Sequence, residues 1–192
     1  ANLTLDDIDG IAATNRPGLM GSLLVGLTFA KTLAWSRNKP FIAVNHMLAH
    51  LDAAHLFQDI SYPYLGLLVS GGHCIICRVA GFDDITVLGT TVADAPGEAF
   101  DKGAKFYGLG YPGGLIIVKL AKEGNPKAAS FPIPSLHKGE HRYDVSYSGL
   151  KTAVINQIDQ FWNPDFPKTP ENIAAAFQET AVRILVTRIL RA

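Results

Sequence analysis

Residues 8–50, IDGIAATNRPGLMGSLLVGLTFAKTLAWSRNKPFIAVNHMLAH, decide the fold class. The apolar run IDGIAAT suits a short strand, and the Pro17-Gly18 turn after it leads into an apolar helical segment carrying Gly21 and Gly26. Small residues at those two positions predict close packing of the helix on a sheet. KPFIAVNH gives a second strand, and HMLAHLDAAHLFQD a second helix from His46 onward. Strand, helix, strand, helix is the order of an α/β fold, in which helices cover a sheet.

The pattern changes further along. YPYLGLLVSGGHCIICRVAGFDDITVLGTT, residues 62–91, offers three strands separated by the turns SGGH and GFDD, which predicts an antiparallel meander. A helix at APGEAFDKGAKFYG, the turn YPGG and a helix at LIIVKLAKEG follow. Residues 125–143 form a Pro-, Ser- and His-containing loop. DVSYSGLKTAVINQIDQFW is expected to give a strand, a Ser-Gly turn and a helix, NPDFPKTP a linker, and ENIAAAFQETAVRILVTRILRA a long helix with Thr169 or Pro170 near its start.

Composition narrows the function classes. The 192 residues are 48% hydrophobic and 18% charged, with zero formal net charge, which fits a globular enzyme and excludes a disordered chain or a polybasic nucleic-acid binder. No run of 18 apolar residues and no basic-then-apolar leader is present, so a cytoplasmic protein without membrane contact is expected. The chain opens at Ala1 without Met and closes on AVRILVTRILRA, a helical pattern with no stop signal, which predicts a segment of a longer protein. Cys74 and Cys77 match C-x-x-C, but on a strand residues three apart face opposite ways, so an ordinary pair of cysteines is expected.

Several residues carry chemical potential. His46 and His50 are four apart, which sets both imidazoles on one helical face within reach of one ion. The same spacing also suits two helix histidines satisfied by ordinary hydrogen bonds. Two ligands fall short of a catalytic site, and Met47 stands where the zinc-protease motif H-E-x-x-H has its general base. The second pair at this spacing, His137 and His141, lies in the polar loop and is expected to be solvated, as is His55. LLVSGGH runs a buried strand into a turn whose backbone N–H groups can approach an anion or simply close a hairpin. In ADAPGEAFDKGAK, Asp94 is the expected N-cap, and Glu98, Asp101 and Lys105 share a helical face. Gly97 and Gly103 each weaken that helix by roughly 1 kcal/mol, which implies close packing or ligand approach. YPGG repeats a Gly-rich turn before a helix, a second candidate phosphate or ribose contact.

The stretches PGLMGSLLVGLTFAKTLA, VNHMLAH, LLVSGGH, ADAPGEAFDKGAKFYGLGYPGG and SYSGLKTA together resemble the TsaD family (also YgjD or Gcp), in family order and spacing over nearly the whole chain. The resemblance implies an actin-like, sugar-kinase and Hsp70 type of α/β fold, here truncated at both ends. Residues 1–63 would be the latter part of the first lobe and 64–192 an incomplete second lobe. It implies transfer of a threonylcarbamoyl group from threonylcarbamoyl-adenylate to N6 of the adenosine 3′ of a tRNA anticodon. It further implies one divalent iron or zinc ion held by His46 and His50, and an ATP- or adenylate-type ligand cradled by Leu68, Val69, Ser70, Gly71, Gly72, Asp101 and Gly114. Implied partners are tRNA, a TsaB-like paralogue and a TsaE-like ATPase. Glu98 and Lys105 would line the cleft.

The sequence departs from the family pattern in several places. The family's first strands, with their phosphate hairpin, and its C-terminal part, with a further nucleotide contact and a metal-site Asp, have no counterpart here. Leu115 replaces a frequent Pro, and TNRPGL lacks the usual Gly before Pro17. Two alternatives accompany the transferase reading: a metal-dependent glycoprotein endopeptidase, disfavoured by Met47, and a non-catalytic nucleotide-binding assembly subunit, disfavoured by the histidine pair.

Overall fold

A computed structural model describes residues 2–134 and 139–192. Its contacts divide the chain into two units, Ala1–Ile60 and Ser61–Ala192.

In the first unit, β1 (Ile11–Arg16) and β2 (Phe41–Asn45) pair in parallel, with α1 (Met20–Ser36) as the crossover and α2 (His46–Asp52) following directly. A parallel pair needs such a crossover, and the apolar segment after Pro17-Gly18 supplies it. Ala30, Ala34 and Leu51 are its buried apolar side chains among the described residues. The close packing expected at Gly21 and Gly26 is not found: a Cβ at either position would meet no atom within 4 Å. The second helix is also shorter than its periodicity predicts. α2 ends at Asp52 and tightens into a 3-10 turn over Ala53–Leu56, a frequent ending for a helix. His55, expected on the surface, is half-buried.

The second unit begins with the expected meander. β3 (Tyr64–Val69), β4 (Cys74–Gly81) and β5 (Asp84–Ala93) pair antiparallel, and the two-residue β6 (Val145–Ser146) adds to β5 in parallel. Cys74 and Cys77 are free thiols on the central strand, each about 1% exposed. Burial pushes the Cys74 thiol up to about 11, which fits the ordinary cysteines expected.

Helices α3 (Pro96–Phe106), α4 (Gly113–Ala121), α5 (Ser148–Asn156), the single turn α6 (Ile158–Phe161) and α7 (Pro170–Ile189) complete the unit. The expected Ser-Gly turn is not a turn: Ser148 and Gly149 are the first residues of α5, because Tyr147 precedes the helix and anchors it. Its hydroxyl donates to the Ala181 carbonyl of α7 at 2.8 Å, and its ring joins Ile76, Leu150, Phe177 and Ile184 in one core. Thr169 caps α7 as expected, accepting from the Asn172 N–H at 3.3 Å. Arg188, near the other end of α7, is buried and donates through Nε to the Asp144 carbonyl at 2.9 Å.

Of the two loop histidines expected to be solvated, His141 is exposed, as expected. His137 lies outside the described residues, and His141 Nδ1 stands 2.8 Å from Asp144 Oδ2. Asp144 is buried and also accepts from the Thr90 N–H at 2.8 Å, so the histidine ties the loop to the sheet. Among the described residues no helix is long and apolar enough to cross a membrane.

Candidate functional site

The strand-to-Gly-Gly turn and the helix after the meander meet through two glycines. β3 delivers Leu68 and Val69 to a hairpin turn in which the Ser70 N–H donates to the His73 carbonyl at 2.8 Å. The turn is thus a hairpin, and it also packs on the start of α3. A Cβ on Gly97 would lie 2.6 Å from the Gly71 Cα, and the Glu98 N–H donates to the Gly71 carbonyl at 3.0 Å. Only a residue without a side chain permits that approach, which explains a glycine in the first turn of a helix. A Cβ at Gly71 or Gly72 would meet nothing within 4 Å, so the outer side of the turn is open to a ligand.

One helical turn along α3, Asp101 forms the second junction. Its Oδ1 accepts from the Gly113 N–H, the first of α4, at 2.8 Å. A Cβ on Gly113 would come within 2.6 Å of the Phe100 carbonyl, while one on Gly114 would meet open space. Four residues of helix separate the junctions, a rise of about 6 Å. α3 therefore holds both Gly-rich turns, and the N-termini of α3 and α4 contribute the positive ends of their dipoles. The turn carrying Ser70, Gly71 and Gly72, with Leu68 and Val69 leading into it, is brought to α3, and Asp101 to Gly113, the residue before Gly114. Backbone N–H groups and helix N-termini beside an open surface can receive an anionic ligand.

Asp94, expected to cap α3, does something else. Pro96 begins the helix and makes Ala95 the N-cap, which leaves Asp94 one residue outside with φ +46°. Its buried carboxylate receives Lys102 on Oδ1 at 2.6 Å and Lys151 on Oδ2 at 2.5 Å, and Lys102 also reaches Glu98 at 2.6 Å. Burial alone would raise the Asp94 pKa, but the two ammonium groups outweigh it and hold the carboxyl below the usual range. This bridge ties α3 to α5, and with it the cradle to the SYSGLKTA segment. Pattern reading misses the pairing because Asp94 and Lys151 lie 57 residues apart; the signal available was Pro96, which fixes the helix start and displaces Asp94 from the cap.

His46 and His50 belong to the first unit. Asn45 caps α2, accepting from the Met47 N–H at 2.9 Å, and Leu51 is its buried anchor. Both imidazoles are exposed, with Nε2 atoms 3.2 Å apart and rings nearly perpendicular. Two nitrogens on one tetrahedral ion at 2.0–2.1 Å stand about 3.3 Å apart, so the spacing of the pair matches two corners of a metal site. The same distance also serves an imidazole–imidazole hydrogen bond. Among the described residues no group of three His, Cys, Asp or Glu side chains converges to complete a site.

Comparison with known proteins identifies the family. The family model described as TsaD, tRNA N6-adenosine threonylcarbamoyltransferase, matches residues 1–192. A protein of Treponema denticola with that name is 78% identical over the whole chain, which covers 57% of the relative. Namesakes from Treponema pallidum (strain Nichols) and Brachyspira hyodysenteriae are 63% and 52% identical, with 54% and 56% of their lengths covered. The chain thus spans about half the length of these relatives. On a match that runs from its first residue to its last, the chain belongs to the TsaD family of tRNA N6-adenosine threonylcarbamoyltransferases.

Proposed function

We propose that the full-length protein transfers the threonylcarbamoyl group of threonylcarbamoyl-adenylate to N6 of the adenosine 3′ of a tRNA anticodon. The observation that carries this reading is the α3 cradle, in which one helix holds two Gly-rich turns through Gly71–Gly97 and Asp101–Gly113, together with the whole-length family match. In the reaction the N6 amine bonds to the carbamoyl carbon while the bond from that carbon to the adenylate phosphate oxygen breaks. AMP leaves with the electron pair, and N6 loses a proton to solvent.

Within this reading Gly71 and Gly72 offer backbone N–H groups to the adenylate phosphate, Ser70 closes the turn on His73, and Leu68 and Val69 carry it. Asp101 holds the α4 N-terminus so that Gly114 lies against the nucleotide. A divalent iron or zinc ion on His46 and His50, completed by a ligand from elsewhere in the full-length protein, would supply Lewis acidity at the carbonyl. Met47 is compatible with this, since no water needs a base. That residue is also why the endopeptidase reading is not preferred.

The same proposal takes the parallel β1–β2 unit with its following helix as part of the first lobe of an actin-like fold, residues 1–63. Residues 64–192 are then part of the second lobe. It places the protein in the cytoplasm with a TsaB-like paralogue and a TsaE-like ATPase as partners. The test is reconstituted transfer with the full-length protein carrying both His46→Ala and His50→Ala. A fall of about 100-fold or more is expected, since Lewis-acid stabilisation is worth several kcal/mol. Undiminished transfer by a metal-free double variant would overturn the metal's role.

A further inference from the structure

Beside the cradle, Asp101, Lys102 and Lys105 of α3 and Gly108, Gly110 and Tyr111 of the α3–α4 connection line an open concavity of about 570 Å³. That volume falls in the range of small-ligand sites. Its polar groups are unequally engaged. Lys102 is held by Asp94 and Glu98, and Asp101 Oδ1 by the Gly113 N–H, whereas Lys105 makes no ion pair among the described residues. Tyr111 presents its ring to solvent at 83% exposure. Gly108 and Gly110 have φ of +66° and +102°, conformations that strain any side chain, so the wall between Lys105 and Tyr111 is bare backbone by construction.

An exposed aromatic face, an ammonium with no ion pair among the described residues and bare backbone between them are what proteins use to hold an unpaired nucleotide. The base stacks on the ring, and the phosphate meets the cation. An open wall also admits a nucleotide that is still part of a longer strand. We propose that this concavity is a second nucleotide subsite, in which a base of a single-stranded RNA loop stacks on Tyr111 and its phosphate contacts Lys105. The inference rests on the transferase reading and extends it, naming residues that hold the acceptor strand. Asp101 is common to the two subsites, which would set the acceptor nucleotide beside the activated one.

The test is steady-state transfer by the full-length protein with its partner subunits, with tRNA varied at saturating adenylate donor, and AMP affinity measured separately. Tyr111→Ala is expected to raise the KM for tRNA about tenfold or more, and by a clearly larger factor than it changes AMP affinity, because stacking on that ring is lost. Tyr111→Phe keeps the ring and is expected to stay within about twofold of the parent, which a role of the hydroxyl would not allow. Lys105→Ala is expected to reduce the slope of log affinity against log salt by about one phosphate contact. A Tyr111→Ala protein with the parental KM for tRNA, or a Phe variant as impaired as Ala, overturns the subsite. An unmodified protein that transfers nothing to tRNA defeats the transferase reading itself, so the two failures are distinct.

Discussion

The two units differ in where their apolar residues go. In the second, Ile76, Tyr147, Leu150, Phe177 and Ile184 meet in one core, with α7 packed on α4 and α5. In the first, Ala30, Ala34 and Leu51 are the buried apolar side chains among the described residues, and α1 exposes Leu24, Val25 and Phe29. The second unit carries the packing that makes a cradle rigid, and the first carries the exposed imidazoles. Stability and chemistry should therefore respond oppositely: substitutions in the second unit should cost folding free energy, while the histidines should cost activity.

The sharpest way to break this contrast is a pair of matched truncations. Phe177, 2% exposed, packs against Phe100 with ring centroids 4.9 Å apart, and Phe177→Ala should destabilise by about 3–5 kcal/mol in urea unfolding. Phe29, 69% exposed, should cost less than about 0.5 kcal/mol when changed to Ala. Equal costs would show that the first unit is as tightly packed as the second.

Next in size is Gly97→Ala. The added Cβ meets backbone of Gly71 that cannot swing aside, so the turn must move, at about 1–3 kcal/mol. Nucleotide affinity should fall with it, by titration with AMP. Stability lost without any change in affinity would separate the turn from the site.

Asp94→Asn sharpens the account of the lysine bridge. Asn tolerates a left-handed φ, so the backbone is kept while the charge is removed, at about 1 kcal/mol at neutral pH. The folded pKa of Asp94 lies below its unfolded value, so its stabilisation is present above the unfolded carboxylate pKa and lost as pH falls through the folded one. The parent should thus lose stability in acid that the variant never had, and parallel pH profiles would contradict the bridge. The smallest effect concerns the cysteines. The Cys74 thiol is raised from 9.0 to about 11, so its contribution is present below about pH 9 and lost as pH rises through 11. Both thiols should resist a thiol reagent at pH 8 until the chain is unfolded.

Much of this contrast was legible in the sequence. The parallel unit, the meander and the two helices after it follow from periodicity and from Gly and Pro at their boundaries, and Thr169-Pro170 marks the start of α7. Where local rules failed, a distant partner had decided the outcome. Asp94 is drawn to Lys151 on α5 as well as to Lys102 instead of capping α3, and Ser148 is helical because Tyr147 is anchored on α7. The cradle was half legible: each Gly-rich turn is visible as a turn, but the meeting of Gly71 with Gly97 joins positions 26 residues apart with no side chain to announce it.

The most direct test of the central claim is mass spectrometry of nucleosides from bulk tRNA. It compares cells depleted of the full-length protein with the same cells complemented by it. The account predicts that threonylcarbamoyladenosine disappears on depletion and returns on complementation, and that the His46→Ala, His50→Ala protein fails to restore it. An unchanged nucleoside profile on depletion would contradict it, leaving the α3 cradle as a nucleotide site for some other acceptor.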